Sequence, residues 1–280
     1  MTRPFRSVLY IPAANPRAME KARTLPVDAI IFDLEDAVSP TEKAAAREAL
    51  AQALREDYGN RARIIRINGL DTEWGEADAR RFSGQGDAIL IPKVSHPGDL
   101  DRVATLVPET PLWAMMETAQ GMLNASEIAA HPRLAGLVMG TNDLAKEINA
   151  RFRADRLPMQ TGLGLCVLAA KAQGKVVVDG VFNAFRDDEG LRAEAEQGRD
   201  MGFDGKSLIH PAQIEVANEV FAPSAQELDL SRRQIAAFEE AEAQGRGIAV
   251  VDGRIVENLH IETARATLAR AEAIARMAAE

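Results

Sequence analysis

The chain of 280 residues is 46% hydrophobic, enough for one large core, and its length fits an α/β barrel of about 250 residues with an appended segment. A net charge of −9 without any basic run argues against nucleic acid or an anionic membrane as a partner. The only cysteine, Cys166, excludes an internal disulfide and fits a reducing compartment such as the cytoplasm, and no apolar stretch approaches the roughly 18 residues of a membrane span or forms a signal peptide.

Eight short apolar runs follow one another along most of the chain. Runs of this length without a polar residue at every third or fourth position are typical of strands buried on both faces. The intervening segments, among them 40–55 and 97–107, are predicted to be amphipathic helices with proline near the first turn. The predicted strands cover residues 7–11, 29–32, 64–67, 87–91, 113–116, 134–140, 176–178 and 207–209.

The spacing of these runs indicates how the strands are arranged. Arg66, Lys93, Glu117 and Asp143 lie at or shortly after the ends of successive runs, and the steps between them are 27, 24 and 26 residues, about one strand and one helix each. Eight such units close into a TIM (β/α)₈ barrel, which we assign to residues 1–222. Residues that end the strands of such a barrel share one face, so these four and the acids of segment 33–36 should surround a common mouth.

Two of these residues, Glu117 and Asp143, are candidate metal ligands. Segment 121–131 between the two runs has helical character, so the strands should be parallel neighbours about 5 Å apart. Carboxylates at their ends could converge on one Mg²⁺ ion. The alternatives are structural: Asp143 could cap a helix that begins at Leu144, and Glu117 could be an acid at the start of the next helix.

The acids of segment 33–36 need a separate interpretation. On an extended strand Asp33 and Glu35 share one face and Asp36 takes the other, so the three cannot all bind one ion. We expect Glu35 and Asp36 to orient Arg66 or a metal-bound water. Arg66 could instead form a structural salt bridge to one of these acids, and Lys93 is interpreted as a surface lysine.

Residues 223–280 form a predicted carboxyl-terminal arm. Segment 224–244 is rich in Glu and Gln and predicts a helix, and segment 260–278 predicts another. Between them, Asp252 and Gly253 separate the two apolar strings of segment 247–257, which is a strong signal for a β-hairpin. The sequence thus predicts a helical extension that carries a hairpin.

Six segments, in chain order, share motifs with one known family. They are RSVLYIP at 6–12, DLEDAV at 33–38 with Lys43, Ala46 and Arg47 after it, RIN at 66–68, METAQG at 116–121, GTNDLA at 140–145 and GFDGKSLIHPAQ at 202–213. Together they resemble the citrate lyase beta-subunit-like family, which includes malyl-CoA, methylmalyl-CoA and citramalyl-CoA lyases and malyl-CoA thioesterases. The resemblance spans nearly the whole chain and is specific for the family, though not for one member.

The resemblance implies a barrel dependent on Mg²⁺, with Mn²⁺ as an alternative metal, that cleaves or forms a carbon–carbon bond in a 3-hydroxyacyl-CoA. The products of cleavage would be a short oxoacid and an acyl-CoA. The matching positions place the metal on Glu117 and Asp143, and Arg66 would stabilise the developing oxyanion. Glu35 and Asp36 would be further catalytic groups. Substrate contacts would come from Arg66, Glu117, Asn142, Asp143, Ile209 and His210.

The resemblance also implies partners. CoA is expected as part of the substrate, and Arg17 and Lys21 on the first helix could pair with its phosphates, unless they form only a solvated helix face. In the family the carboxyl-terminal arm often packs over the barrel mouth of a neighbouring subunit and delivers an aspartate. Here Glu257 holds that place, and we assign it a catalytic role. A homo-oligomer, either a trimer or a hexamer, is therefore expected.

Two departures from the family pattern bear on the reaction. Glu257 has one methylene more than aspartate, which moves its carboxyl by roughly 1.5 Å and could favour hydrolysis of the thioester. Ala13 stands where the family usually has glycine, which would strain a backbone that needs positive φ. The sequence therefore predicts a lyase for malyl-, methylmalyl- or citramalyl-CoA, with a (3S)-malyl-CoA thioesterase as the alternative. A citrate lyase beta-type subunit acting on an acyl-carrier-bound substrate is the second alternative.

Overall fold

The computed structural model describes residues 3–279 and contains two compact units. One unit is Phe5–Phe221, and the other contains Ala222 and the described residues that follow it. Each unit has an apolar core of its own.

Phe5–Phe221 folds as a closed barrel of eight parallel strands in chain order, which confirms the predicted TIM fold. The last strand pairs with the first, with Lys206 opposite Ser7, and this pairing closes the barrel. The strands are β1 (Ser7–Pro12), β2 (Ala29–Asp33), β3 (Ala62–Arg66), β4 (Ala88–Ile91), β5 (Leu112–Met116), β6 (Leu134–Met139), β7 (Val176–Asp179) and β8 (Gly205–Leu208).

Helices follow the strands in the order that this fold requires. None of the helices within residues 3–279 has the length and apolar character needed to cross a membrane. The helices of the barrel unit are α1 (Pro16–Ala22), α2 (Lys43–Ala53), α3 (Gly75–Phe82), α4 (Pro97–Ala104), α5 (Ala119–Leu123), α6 (Ala125–Ala129), α7 (Thr141–Glu147), α8 (Gln160–Ala172), α9 (Asp188–Met201) and α10 (Ile214–Val220).

Most of the strands are largely apolar, which suits their burial on both faces; β8, with Lys206 and Ser207, is an exception. Val8, Ile31, Leu90 and Val138 belong to a cluster inside the barrel that also contains Trp113. Alternate strand residues pack in a second cluster between the strands and the helices. This two-sided burial explains why the strands appear in the sequence as continuous apolar runs.

Some observed helices differ from the predicted ones. Segment 121–131 holds no single helix: α5 and α6 are separated at Asn124, whose φ of −92° and ψ of 11° interrupt the helix. The predicted helix 40–55 begins instead as a 3₁₀ turn, Pro40–Glu42, and continues as α2. The predicted helix 97–107 ends at Ala104.

The second unit contains the predicted helices and hairpin. Asp252 and Gly253 form the hairpin turn with φ values of 51° and 73°, the left-handed pair that a two-residue turn needs. Arg233 holds this turn through two 2.8 Å contacts to the Asp252 carboxylate. The elements are α11 (Ala225–Ala243), β9 (Ala249–Val251), β10 (Arg254–Val256) and α12 (Asn258–Ala279).

Candidate active site

A cavity of about 300 Å³ opens at the carboxyl ends of the strands, the face on which a TIM barrel carries its reactive groups. Its lining brings together side chains at or just beyond the ends of β2, β3, β5 and β6, which are far apart in the sequence. Carboxylates outnumber cations among them, so the cavity attracts positive charge. The charged residues of the lining are Asp33, Asp36, Arg66, Glu117 and Asp143.

Glu117 is a buried acid directly after β5. It is 2% exposed, and its Oε1 accepts a 2.8 Å hydrogen bond from the backbone N–H of Lys93. Burial raises the pKa of Glu117 to about 7, although this hydrogen bond and the charge of Arg66 act in the opposite direction. The next helix is capped by Thr118, whose hydroxyl accepts the N–H of Gly121. Glu117 therefore does not cap that helix.

Asp143 lies in the first turn of α7 and lines the same cavity as Glu117. The helix begins at Thr141, not at Leu144, and its N-cap is Gly140. The Asp143 carboxylate makes no capping hydrogen bond, and no hydrogen bond or close ion pair from residues 3–279 reaches it. Its oxygens remain available to a ligand in the cavity.

The two acids fit a cation that keeps part of its water shell. Within residues 3–279, no group of three or more His, Cys, Asp or Glu side chains is arranged to hold a metal ion. Mg²⁺ usually takes only one or two carboxylates from a protein and completes its coordination with waters or substrate oxygens. Glu117 and Asp143, beside an open cavity, have the donor chemistry of such a site.

Arg66 ends β3 and is held by three acids. Its Nε and Nη2 donate to the two oxygens of Asp33 at 2.7 and 2.6 Å, and its Nη1 lies 3.0 Å from Glu35 and 3.4 Å from Asp36. Burial opposes the charge, but Asp33 outweighs it and the pKa of Arg66 lies well above its usual value. The salt bridge considered from the sequence is thus present, and the guanidinium still lines the cavity.

The three acids are not divided between two faces, as an extended strand would divide them. β2 ends at Asp33, so Glu35 and Asp36 lie in a turn. Asp33 accepts two backbone N–H groups of this turn, and Lys43 donates to two of its carbonyls at 2.8 and 2.7 Å. The turn therefore brings all three carboxylates to Arg66. Burial also raises the pKa of Glu35.

Lys93 is exposed, as its interpretation as a surface lysine expects, but it also contacts residues of the site. Its side chain is 55% exposed, but its backbone N–H binds Glu117 and its Nζ lies 3.6 Å from Oε1 of Glu35. Burial acts to lower the pKa of Lys93, but Glu35 and the other nearby acids raise it overall. The contact to Glu117 depends on the turn after β4, which hydrophobic periodicity does not reveal.

Tyr10 on β1 is a cavity residue that the motifs did not single out. Its ring lies 5.1 Å from the guanidinium carbon of Arg66, and its hydroxyl donates to Sδ of Met115 at 3.2 Å. Burial raises the pKa of Tyr10 well above its usual value, so the hydroxyl stays protonated. It is a neutral donor in a cavity dominated by charges.

The loop between β7 and α9 forms another side of the mouth. Asn183 in this loop exchanges two amide hydrogen bonds with Asn142, at 2.8 and 3.2 Å, and Phe185 stacks on His210 with ring centroids 4.5 Å apart. Asn142 and Ile209 line the cavity. His210 instead caps the short helix after β8, since its Nδ1 accepts a backbone N–H.

The roles predicted for Arg17, Lys21 and Glu257 remain predictions. Arg17 and Lys21 are exposed on α1, and within the described part of the chain neither side chain makes a hydrogen bond or an ion pair. Glu257 belongs to the second unit, where it precedes α12 and its backbone N–H donates to Nδ1 of His260.

Two small residues discussed in the sequence analysis lie outside the site. Cys166 is fully buried in α8, and burial raises the pKa of its thiol to about 12. Ala13 does not adopt positive φ, so the strain considered for a glycine replacement does not arise.

A buried ion cluster at β7 and β8 was not anticipated. Asp179 accepts from Nη1 of Arg156 at 2.7 and 2.8 Å, and Nζ of Lys206 lies 3.1 Å from it. Lys206 is completely buried and also contacts Glu194 at 2.8 Å. The sequence showed an acid at a strand end, but its two cations are 23 and 27 residues away and no motif links them.

Comparisons with known proteins match the chain along almost its whole length. A family model described as HpcH/HpaI aldolase/citrate lyase matches residues 6–211. A (3S)-malyl-CoA thioesterase of Cereibacter sphaeroides (strain KD131 / KCTC 12085) is 70% identical over 97% of this chain and 96% of its own. The citrate lyase subunit beta of Leuconostoc mesenteroides subsp. cremoris is 35% identical over 90% of this chain and 88% of its own. The crystal structure of CitE from Mycobacterium tuberculosis in complex with magnesium, acetoacetate and coenzyme A has a TM-score of 0.82 and 30% identity, covering 96% of this chain and 98% of that one.

Proposed function

The chain belongs to the HpcH/HpaI aldolase/citrate lyase family, and from this premise we propose that it hydrolyses the thioester of (3S)-malyl-CoA. The observation that carries the proposal is the 70% identity to a (3S)-malyl-CoA thioesterase over 97% of the chain. In this reaction water adds to the thioester carbonyl and the carbon–sulfur bond breaks, which gives malate and free CoA. The lyase activity that the motifs placed first is supported by more distant relatives, such as the citrate lyase subunit at 35% identity.

The size of the cavity fits a substrate with a small acidic acyl group. Its volume of about 300 Å³ is at the lower end of ligand pockets, which suits a four-carbon unit rather than a long chain. A negatively charged substrate would be repelled by the acids of the lining unless cations accompany it. Arg66 and a bound divalent cation would supply this positive charge.

We propose that Glu117 and Asp143 hold Mg²⁺, or Mn²⁺ in its place. Such a cation, when bound, would polarise a substrate oxygen as a Lewis acid. The proposal is supported by the buried position of Glu117, by the carboxylate of Asp143, to which no described residue is hydrogen-bonded, and by their place on one cavity.

Arg66 is proposed to stabilise negative charge on the thioester oxygen as water attacks. Because Asp33 binds the guanidinium through two parallel hydrogen bonds, the group is preorganised and need not move during the reaction. Glu35 and Asp36 are proposed to keep Nη1 in place and to orient the attacking water. The raised pKa of Glu35 brings this carboxyl closer to the range in which it can accept a proton from water.

Cleavage of the carbon–carbon bond is the second candidate function. It is favoured by the likeness to the solved CitE complex, which contains an oxoacid together with magnesium and coenzyme A. The two reactions share a substrate and differ in the bond that breaks, so their products separate them.

Product analysis with (3S)-malyl-CoA tests the proposal. The purified protein is incubated with Mg²⁺, and free thiol, malate, acetyl-CoA and glyoxylate are measured together. We expect thiol and malate in equal amounts, and EDTA should abolish their release. Glyoxylate and acetyl-CoA without free thiol would show that the protein is a lyase. No turnover would favour the second alternative, a subunit that requires a carrier-bound substrate.

A further inference from the structure

Lys93 has an unusual backbone conformation at the edge of the candidate site. It follows Pro92 in the turn after β4 and has a φ of 52°. Within residues 3–279 only three other non-glycine residues have positive φ, namely Asn149, Arg156 and Asp252. A turn with proline followed by a residue of positive φ usually carries glycine or asparagine at the second place. A lysine there is held against its own preference, and such positions concentrate at functional sites.

The left-handed conformation of Lys93 has one visible result at Glu117. It directs the backbone N–H of Lys93 to Oε1 of Glu117 at 2.8 Å. Within the described part of the chain, no other hydrogen-bond donor reaches this carboxylate. The bond fixes the rotation of a side chain that is only 2% exposed. Oε1 is thereby engaged by the protein, and Oε2 is left for another partner.

We propose that Lys93 is a positioning residue for the metal site, acting through its backbone and not through its ammonium group. The inference rests on the proposed binding of a divalent cation by Glu117 and Asp143. Hydrogen bonds from outside the ligand set commonly fix the orientation of a ligating carboxylate and so raise metal affinity. The N–H of Lys93 would serve this purpose for Glu117, and the strained turn after β4 would keep it in place.

The side chain of Lys93 makes a different contact, so the two parts of the residue can be tested separately. Its Nζ lies 3.6 Å from Glu35, whereas the hydrogen bond to Glu117 comes from the backbone N–H, and the side chain is 55% exposed. Removing the ammonium should therefore leave the Glu117 hydrogen bond intact. Loss of one positive charge near the acids should, if anything, strengthen cation binding slightly.

Three substitutions that all remove the ammonium isolate the backbone effect. Lys93→Gly adopts positive φ freely, and Lys93→Met keeps an unbranched β carbon like that of lysine. Lys93→Val is β-branched, and positive φ is a genuine outlier for such a residue, so its N–H should turn away from Glu117. Mn²⁺ affinity is measured by titration calorimetry on the complete protein, with no substrate present.

We expect the Mn²⁺ dissociation constants of the Gly and Met variants to stay within about threefold of the wild-type value, whereas the Val variant should bind roughly tenfold more weakly or worse. Equal affinities for Val and Met would overturn the inference. So would equal weakening in all three variants, because the ammonium would then be responsible. Thermal melting shows whether each variant is folded, and Lys93→Thr repeats the β-branched test if the Val variant is not.

Wild-type protein and Glu117→Gln distinguish this inference from the proposals on which it rests. If the wild type binds no Mn²⁺, or if Glu117→Gln binds it equally well, the metal site is misplaced and the role of Lys93 is wrong with it. Thioester hydrolysis is measured in a separate assay. A wild type that binds Mn²⁺ but fails to hydrolyse malyl-CoA would contradict the proposed function and leave the test of Lys93 valid.

Discussion

Gly140 packs directly against the side chain of Glu117. A β carbon at position 140 would overlap with both Cβ and Oε2 of Glu117. The end of β6 therefore has no room for any side chain while Glu117 keeps its orientation, and Oε2 is the oxygen that we propose for the metal.

Gly140→Ala should consequently weaken Mn²⁺ binding by roughly tenfold or more, because the overlap with Cβ of Glu117 forces the backbone at one of the two positions to shift and so moves the carboxylate. Titration calorimetry measures the effect. Gly164→Ala in α8 is the matched control, since an added β carbon there meets nothing within 4 Å. The control should bind Mn²⁺ normally and gain up to about 1 kcal/mol of stability from its helical position. Similar Mn²⁺ affinities in the two variants would contradict this reading of the contact.

The raised pKa of Glu117 predicts that the metal-free protein loses folding stability as the pH rises. A carboxyl with a folded pKa of about 7 and an ordinary pKa of 4.5 is ionised more easily in the unfolded chain. Stability is therefore unaffected by this group below pH 4.5, falls as the pH rises to about 7, and is then lower by on the order of 3 kcal/mol.

Glu117→Gln removes this titration. In EDTA, the variant should gain stability relative to the wild type as the pH is raised from 5 to 8, with most of the difference appearing by pH 7. Urea unfolding at several pH values provides the measurement. Parallel pH profiles for the two proteins would show that burial does not perturb this carboxyl.

Arg66→Lys keeps the charge but cannot form two parallel hydrogen bonds to Asp33. We expect kcat/KM for malyl-CoA to fall by roughly a hundredfold, because the cation is no longer preorganised towards the thioester oxygen. Arg23→Lys, at an exposed salt bridge to Glu20, is the control and should keep full activity. An active Arg66→Lys variant would remove Arg66 from the mechanism.

Lys206→Met should destabilise the protein by about 3 kcal/mol, because it leaves part of the buried Asp179 charge without a partner. Lys171→Met breaks an ion pair with Asp204 in which both side chains are partly exposed, and should cost less than about 1 kcal/mol. Denaturant unfolding compares the two substitutions. A cost as small for Lys206 as for Lys171 would mean that Arg156 alone neutralises Asp179.

The expected homo-oligomer and the catalytic role of Glu257 are tested together by mixing inactive variants. If the arm delivers Glu257 to the mouth of a neighbouring subunit, Glu257→Gln and Glu117→Gln should each be inactive and regain part of the activity when co-assembled. Sedimentation of the mixture reports the oligomeric state. Full activity of Glu257→Gln alone would exclude the residue from catalysis.

The barrel was predictable because its strands are buried on both faces. Apolar runs and their regular spacing located all eight strands, and the same spacing placed Arg66, Glu117 and Asp143 around one mouth. The hairpin was equally clear, since Asp252 and Gly253 suit the left-handed turn that connects its strands.

The conformation of the chain beyond the strand ends could not be predicted from the sequence. Asp36 reaches Arg66 because a turn follows Asp33, and Lys93 reaches Glu117 through a backbone conformation that lysine does not favour. Asn124 interrupts a segment whose composition is helical throughout. These features depend on contacts between distant segments, which periodicity and composition do not record.

The loop after β7 is held to α7 by uncharged hydrogen bonds between the side-chain amides of Asn142 and Asn183. Acids and Arg66 make the interior of the cavity responsive to protons and salt, whereas carboxamides neither titrate nor suffer ionic screening. The hydrogen bonds between Asn142 and Asn183 should therefore persist when the charged groups of the cavity change protonation. Deamidation of either residue would place two oxygens opposite each other and remove one of the two hydrogen bonds, so it should weaken the attachment of this loop.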